Sequence, residues 1–199
     1  MRNVVRSALV VLLLGAPTAP LAAQDIRPMS SGPERSGFFF GLGLGGGSAR
    51  LDCNVCDNEP DNGGAGWLTV GGTISPKLRL AGDFNAWTKD ENGTTASFGT
   101  GTFSALFYPS ATGNLFLKAG VGYSVTKFKD ASLGLDAQGG GFGGVLGAGY
   151  DLRVGRSISI TPQLTFFGGS TGDVKDGSFT VLQDSKFNVA ALSVGIVFH

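Results

Sequence analysis

The stretch Asn114-Leu-Phe-Leu-Lys-Ala-Gly-Val-Gly-Tyr-Ser-Val-Thr-Lys127 decides the fold. Leu115, Leu117, Ala119, Val121, Tyr123 and Val125 take one set of alternate positions. Phe116, Lys118, Gly120, Gly122, Ser124 and Thr126 take the other. A period of two over that length is an extended strand whose side chains divide between two environments. One face is bulky and apolar. The other is mostly glycine and hydroxyl with one lysine, too small for a solubilising surface and too polar for a core. That division suits a narrow barrel, in which small or paired groups converge on the lumen and the apolar face meets lipid. At about 3.3 Å per residue and a tilt of about 40°, such a strand crosses the roughly 25 Å apolar band of an outer-membrane barrel.

Seven further runs alternate in the same way from Gly37 onward, which makes the expected fold an all-β, antiparallel, up-and-down transmembrane barrel of about eight strands spanning 37–199. Phe38, Phe40, Leu42 and Leu44 oppose Phe39, Gly41, Gly43 and Gly45 in the first. Leu192, Val194, Ile196 and Phe198 oppose Ala191, Ser193, Gly195 and Val197 in the last. The run from Thr95 to Tyr108 is the least regular, because Leu106 and Tyr108 fall on the inner set unless a bulge intervenes. Pro162, on the outer face of its run, costs a ladder hydrogen bond for no visible reason.

The connections alternate too. Short ones lie at Ser75 to Lys77, Pro109 to Gly113 and Gly155 to Ser157, and have turn composition. Longer ones, rich in Asp, Asn, Gly and Lys, lie near Ser48 to Ala65, Lys89 to Thr94, Phe128 to Gly141 and Gly168 to Ser185. Turns at one end and loops at the other have the polarity of an outer-membrane barrel, with loops outside the cell. Two aromatic belts are expected at the water-lipid boundaries. Trp67, Trp87, Tyr123 and Phe166 would form the belt toward the loops, and Phe38, Tyr108, Tyr150 and Phe198 the belt toward the turns.

Composition agrees with this class. Glycine accounts for 34 of the 199 residues without a three-residue period or serine and proline tracts, so neither collagen nor a linker fits. Residues 1–23 carry Arg2 and Arg6, an apolar run from Ala8 to Ala16 and a small-residue end at Ala22-Ala23. They are expected to be a secretory signal peptide, the alternative being a retained anchor. Residues 24–36 read as a flexible periplasmic lead-in. Without the two arginines of the signal peptide, 13 basic residues face 15 acidic ones, a net charge of −2 that gives no footing for nucleic acid.

The motifs Gly37-Phe-Phe-Phe-Gly-Leu-Gly-Leu, Gly147-Ala-Gly-Tyr-Asp-Leu-Arg and Leu192-Ser-Val-Gly-Ile-Val-Phe198 make the chain resemble the small eight-stranded outer-membrane barrels of the OmpA/OmpX kind. That resemblance implies a Gram-negative outer-membrane location among lipid and lipopolysaccharide, a monomer, and passage through the family's barrel-assembly machinery. The closing strand resembles the signal that this machinery reads, although here Phe198 is followed by His199.

Charged residues fall on the inner set at Arg79, Asp83, Lys118, Asp151 and Arg153. An eight-stranded lumen has room only for its own side chains, and a stranded charge there is costly. A paired network is therefore expected, with Lys118 and Asp151 as its leading pair. It would act as a structural plug or, alternatively, as a gated proton or small-ion path. Cys53 and Cys56 form a C-x-x-C in the first long connection, without the helix that redox chemistry needs or the further ligands that zinc needs, so a local disulfide is expected. The acidic residues around them read as a solvated loop, with weak cation binding as the alternative. The one histidine, His199, lies at the turn end, away from the serine-rich loops, which disfavours Ser-His hydrolysis. No catalytic, metal or cofactor site is expected. The functional expectation is a non-enzymatic envelope protein acting in adhesion or membrane integrity, with a surface ligand at its loops. The alternative is a narrow channel for small solutes.

Overall fold

The alternation closes on itself. In a computed structural model, which describes residues 35–53, 59–91, 93–130, 134–176 and 179–199, the segments form one antiparallel sheet. They are β1 (Phe38–Asp52), β2 (Asp61–Ser75), β3 (Leu78–Glu91), β4 (Thr94–Phe107), β5 (Leu115–Asp130), β6 (Leu135–Tyr150), β7 (Leu152–Arg153), β8 (Ile158–Asp176) and β9 (Phe179–Phe198). Sequence neighbours pair, except for β6 and β7. β1 pairs with β9, and β6 pairs with β8, so no edge is left open. β7 continues the line of β6, giving a closed barrel of eight strands. Closure satisfies the backbone groups that lipid cannot.

The inversion read from Asn114 to Lys127 holds around the ring. Phe38, Leu42, Leu117, Val121, Leu146 and Val194 lie exposed on the outside, Val121 at 60%. Thr100, Thr102, Ser104, Ser124, Thr161 and Thr165 are buried within. Glycine makes the interior possible where bulk comes from the facing strand. A Cβ on Gly63 would sit 2.7 Å from the Trp87 ring, and one on Gly41 would sit 2.9 Å from both Trp67 and Val197.

Two expectations change, and two open points are resolved. The segments read as long loops are in large part strand: β8 has 19 residues and β9 has 20. At about 3.3 Å per residue and a tilt of about 40°, they rise to roughly 50 Å, well above a band of roughly 25 Å. Above the membrane water wets the outer face as well, so side-chain alternation fades. The backbone ladder needs no such pattern and continues.

No bulge interrupts the pairing of β3 with β4, so Leu106 points inward with the rest of its set, and Tyr108, just past the strand, is buried as well. Trp67, Trp87 and Tyr108 are lumen residues, which leaves Tyr123 and Phe166 on the upper belt and Phe38, Tyr150 and Phe198 on the lower. Pro162 has an explanation. It pairs with Val194 on β9, but on its other side the ladder stops at Gly149 with Gln163 and resumes at Leu152 with Ile160. The skipped rung is where proline has no N–H to give, and the Asp151 N–H donates instead to the Asn114 carbonyl at 2.9 Å.

The signal peptide, residues 24–34 of the lead-in and Cys56 lie outside the described residues. Cys53 is held in a disulfide.

Candidate functional site

The lumen is the place where chemistry or transport would occur, and its contents are best followed from the turn end upward. Arg35 is the first surprise. Expected in a flexible lead-in, it is 4% exposed and lies across the turn-end mouth. Its Nη1 donates to the carbonyls of Pro76 at 3.1 Å and Ala111 at 2.9 Å, and its Nη2 donates to that of Gly113. These acceptors belong to two different turns, and the guanidinium lies 3.8 Å above the Tyr108 ring centre. A planar, five-donor cation is suited to such a lid.

Above it sits a cluster built on Asp151. Tyr108 Oη donates to Asp151 Oδ2 and Thr161 Oγ1 donates to Asp151 Oδ1, both at 2.9 Å. Arg79 lies 3.9 Å from the same carboxylate and donates from Nη1 to Tyr108 Oη at 3.2 Å. From Nη2, Arg79 donates to His199 Nδ1 at 3.1 Å, while His199 Nε2 meets Ser159 Oγ at 2.8 Å. His199 therefore does reach a serine, contrary to its expected isolation. The pairing is the wrong way round for hydrolysis. Arginine can only donate, so Nδ1 accepts and the ring proton resides on Nε2, leaving no lone pair to activate Ser159. Burial and the neighbouring Arg79 lower the His199 pKa from 6.5 to about 4, which keeps the ring neutral.

A second cluster lies higher. Lys118 Nζ donates to Asp83 Oδ2 at 2.8 Å, and Asn85 Nδ2 donates to the same oxygen at 2.8 Å. The expected Lys118–Asp151 pair is therefore replaced by Lys118–Asp83 and Arg79–Asp151. The register explains the change. Lys118 is level with Gly147 on β6, four residues or about 13 Å along the strand from Asp151. Arg153, on the short β7, is half-exposed at the turn end and has no ion pair among the described residues. Arg35, Tyr108, Ser159, Thr161 and His199 are network members that inward charge alone does not single out. Tyr108, Ser159 and Thr161 were detectable in principle from their inward phase.

The upper half of the lumen is aromatic. Phe98 stacks between Trp87 at 5.2 Å and Phe187 at 5.0 Å, and Val145, Phe167 and Val189 pack around them. The Trp87 indole N–H donates to the Gly47 carbonyl at 3.0 Å. Higher still, Thr126, Thr171, Val174 and Ser185 are fully buried. The barrel is thus closed at the bottom by Arg35 and Tyr108 and above by the aromatic stack, with balanced charges between.

No family model matches the chain, and no curated protein matches it. Solved structures do. Neisserial surface protein A is 17% identical, covering 82% of this chain and 97% of that one, with a TM-score of 0.55. Ail, the attachment invasion locus protein of Yersinia pestis, is 13% identical over 82% of this chain and 99% of its own, with a TM-score of 0.52. The fold is that of a small outer-membrane β-barrel. Ail in complex with the heparin analogue sucrose octasulfate, 14% identical over 81% and 99%, gives a TM-score of 0.50.

Proposed function

We propose that this barrel is a non-enzymatic surface-attachment protein of the outer membrane, acting through the rim that its extended hairpins raise above the bilayer. The observation that carries the reading is the filled lumen. Arg35 below and Trp87, Phe98 and Phe187 above obstruct a path along the axis among the described residues, while the hairpins extend far beyond what spanning requires. Ail, a barrel of similar fold, is an attachment invasion locus protein and has been crystallised with the heparin analogue sucrose octasulfate.

The rim of this chain differs in sign from what a polyanion needs. Over 50–52, 59–61, 89–91, 127–136 and 173–186, ten acidic residues stand against six basic ones. Opposite charge steers association and like charge suppresses it, so the partner surface is basic.

Display of the barrel on Gram-negative cells tests this directly. Cells should bind beads carrying a lysine-rich peptide and ignore heparin beads. Replacing Glu59 by Gln and Asp61, Asp173 and Asp176 by Asn should abolish the binding. Preference for heparin, or undiminished peptide binding by the neutralised rim, would contradict the assignment.

A further inference from the structure

Among the buried side-chain atoms that have no hydrogen-bond partner among the described residues, five belong to residues around one space between the two seals: Trp67 Nε1, Thr69 Oγ1, Arg79 Nε, Asp83 Oδ1 and Gln163 Nε2. Native structures leave few such groups, and five around one space require an explanation. Their residues line a single cavity of about 20 Å³, which Lys118 and Asp151 also border. A water needs at least about 10–15 Å³ of such space, so the cavity is large enough to hold one.

The groups select the ligand. Three of the atoms are N–H donors, the Thr69 hydroxyl can act either way, and the Asp83 oxygen only accepts. A bare anion would be set against the Asp83 carboxylate. A bare cation would meet three N–H groups. Water can accept from the donors and give to Asp83 at once.

We propose that the lumen contains a binding site for one structural water, held among Trp67, Thr69, Asp83 and Gln163. The water donates to Asp83 Oδ1 and accepts from Trp67 Nε1 and Gln163 Nε2. It thereby ties the Lys118–Asp83–Asn85 cluster to Trp67 and Gln163 on the cavity wall.

The two tryptophans of the chain make the test self-controlled. The Trp87 indole N–H is occupied by the Gly47 carbonyl, whereas that of Trp67, a residue of the cavity wall, is buried without a partner among the described residues. Protein labelled with ¹⁵N at tryptophan, in detergent micelles, is observed for magnetisation transfer from water. Trp67→Phe or Trp87→Phe, whichever folds, assigns the two signals. A cross-peak with the sign of a long-lived water at Trp67, and none at Trp87, is the expected result. No cross-peak at Trp67 means a dry cavity and overturns the site. Equal cross-peaks at both indoles mean a generally wet lumen and overturn it too. A high-resolution crystal structure provides a readout free of substitutions. Density within hydrogen-bonding distance of both Trp67 Nε1 and Asp83 Oδ1 is expected, and a featureless cavity refutes the proposal.

Discussion

Replacing Lys118 by methionine removes one charge from a lumen that holds two ion pairs, Lys118 with Asp83 and Arg79 with Asp151. The Lys118–Asp83 contact is 2.8 Å long, and both side chains are nearly fully buried. At that separation the attraction is about 6 kcal/mol for an effective dielectric of about 20. Desolvation of the two ions opposes it with several kcal/mol each, so the intact pair contributes little net stability. Breaking it is another matter. Methionine keeps the volume but leaves the Asp83 carboxylate with no cation and with the Asn85 amide as its one remaining side-chain donor among the described residues, and an uncompensated buried charge of this kind costs about 3–5 kcal/mol. The expected loss is therefore about 4 kcal/mol, close to a thousandfold in the folding equilibrium.

Urea titration of the barrel in detergent, followed by tryptophan fluorescence, measures this loss. Adding Asp83→Leu should restore stability to within about 1 kcal/mol of wild type, since a neutral, well-packed pair is tolerated. Adding Asp151→Asn should restore nothing. A Lys118→Met cost below about 1 kcal/mol, or rescue by the Asp151 change in place of the Asp83 change, would refute the pairing and the electrostatic argument together.

Arg35→Ala should cost about 3 kcal/mol in the same titration, through loss of charge-assisted bonds to three carbonyls and of the stacking on Tyr108. It should leave bilayers non-conducting, because the stack of Trp87, Phe98 and Phe187 still closes the upper lumen. Gly71→Val should abolish the heat-modifiable gel shift of a folded barrel, because a Cβ there would stand 2.8 Å from the Ala81 Cα. Gly72→Val, with nothing within 4 Å, should fold normally. The pKa of His199 is lowered from 6.5 to about 4, so the native state prefers the neutral ring. That preference leaves stability unaffected above about pH 6.5, and removes it progressively as pH falls toward 4, where the unfolded chain binds the extra proton first. Paired urea titrations should show wild type losing stability relative to His199→Gln over that interval and matching it in trend above pH 7.

The strands were legible because lipid and lumen impose opposite demands at every second residue, and that pattern survives in sequence even where glycine replaces bulk. Residues such as Val121 and Gly120 needed no partner to be placed. The pairing of charges was not legible. Inward phase identified Arg79, Asp83, Lys118 and Asp151, but which one meets which depends on register, and register is fixed by turn geometry and closure. Arg35 lies outside any period, since its role is set by three carbonyls brought together only when the turns assemble. Trp67 and Trp87 misled for a different reason. Tryptophan favours the bilayer interface, but here the facing glycines, Gly43 beside Trp67 and Gly63 beside Trp87, open room inside, and burial of a large ring there outweighs the interfacial preference.

Planar-bilayer recording of the wild-type barrel addresses the closed lumen most directly. With Arg35 and Tyr108 across one mouth and the Trp87, Phe98 and Phe187 stack below the other, the current should stay at the lipid baseline at moderate voltages of either sign. A steady, ohmic conductance from the unmodified protein would contradict a sealed interior, and with it the assignment of function to the rim.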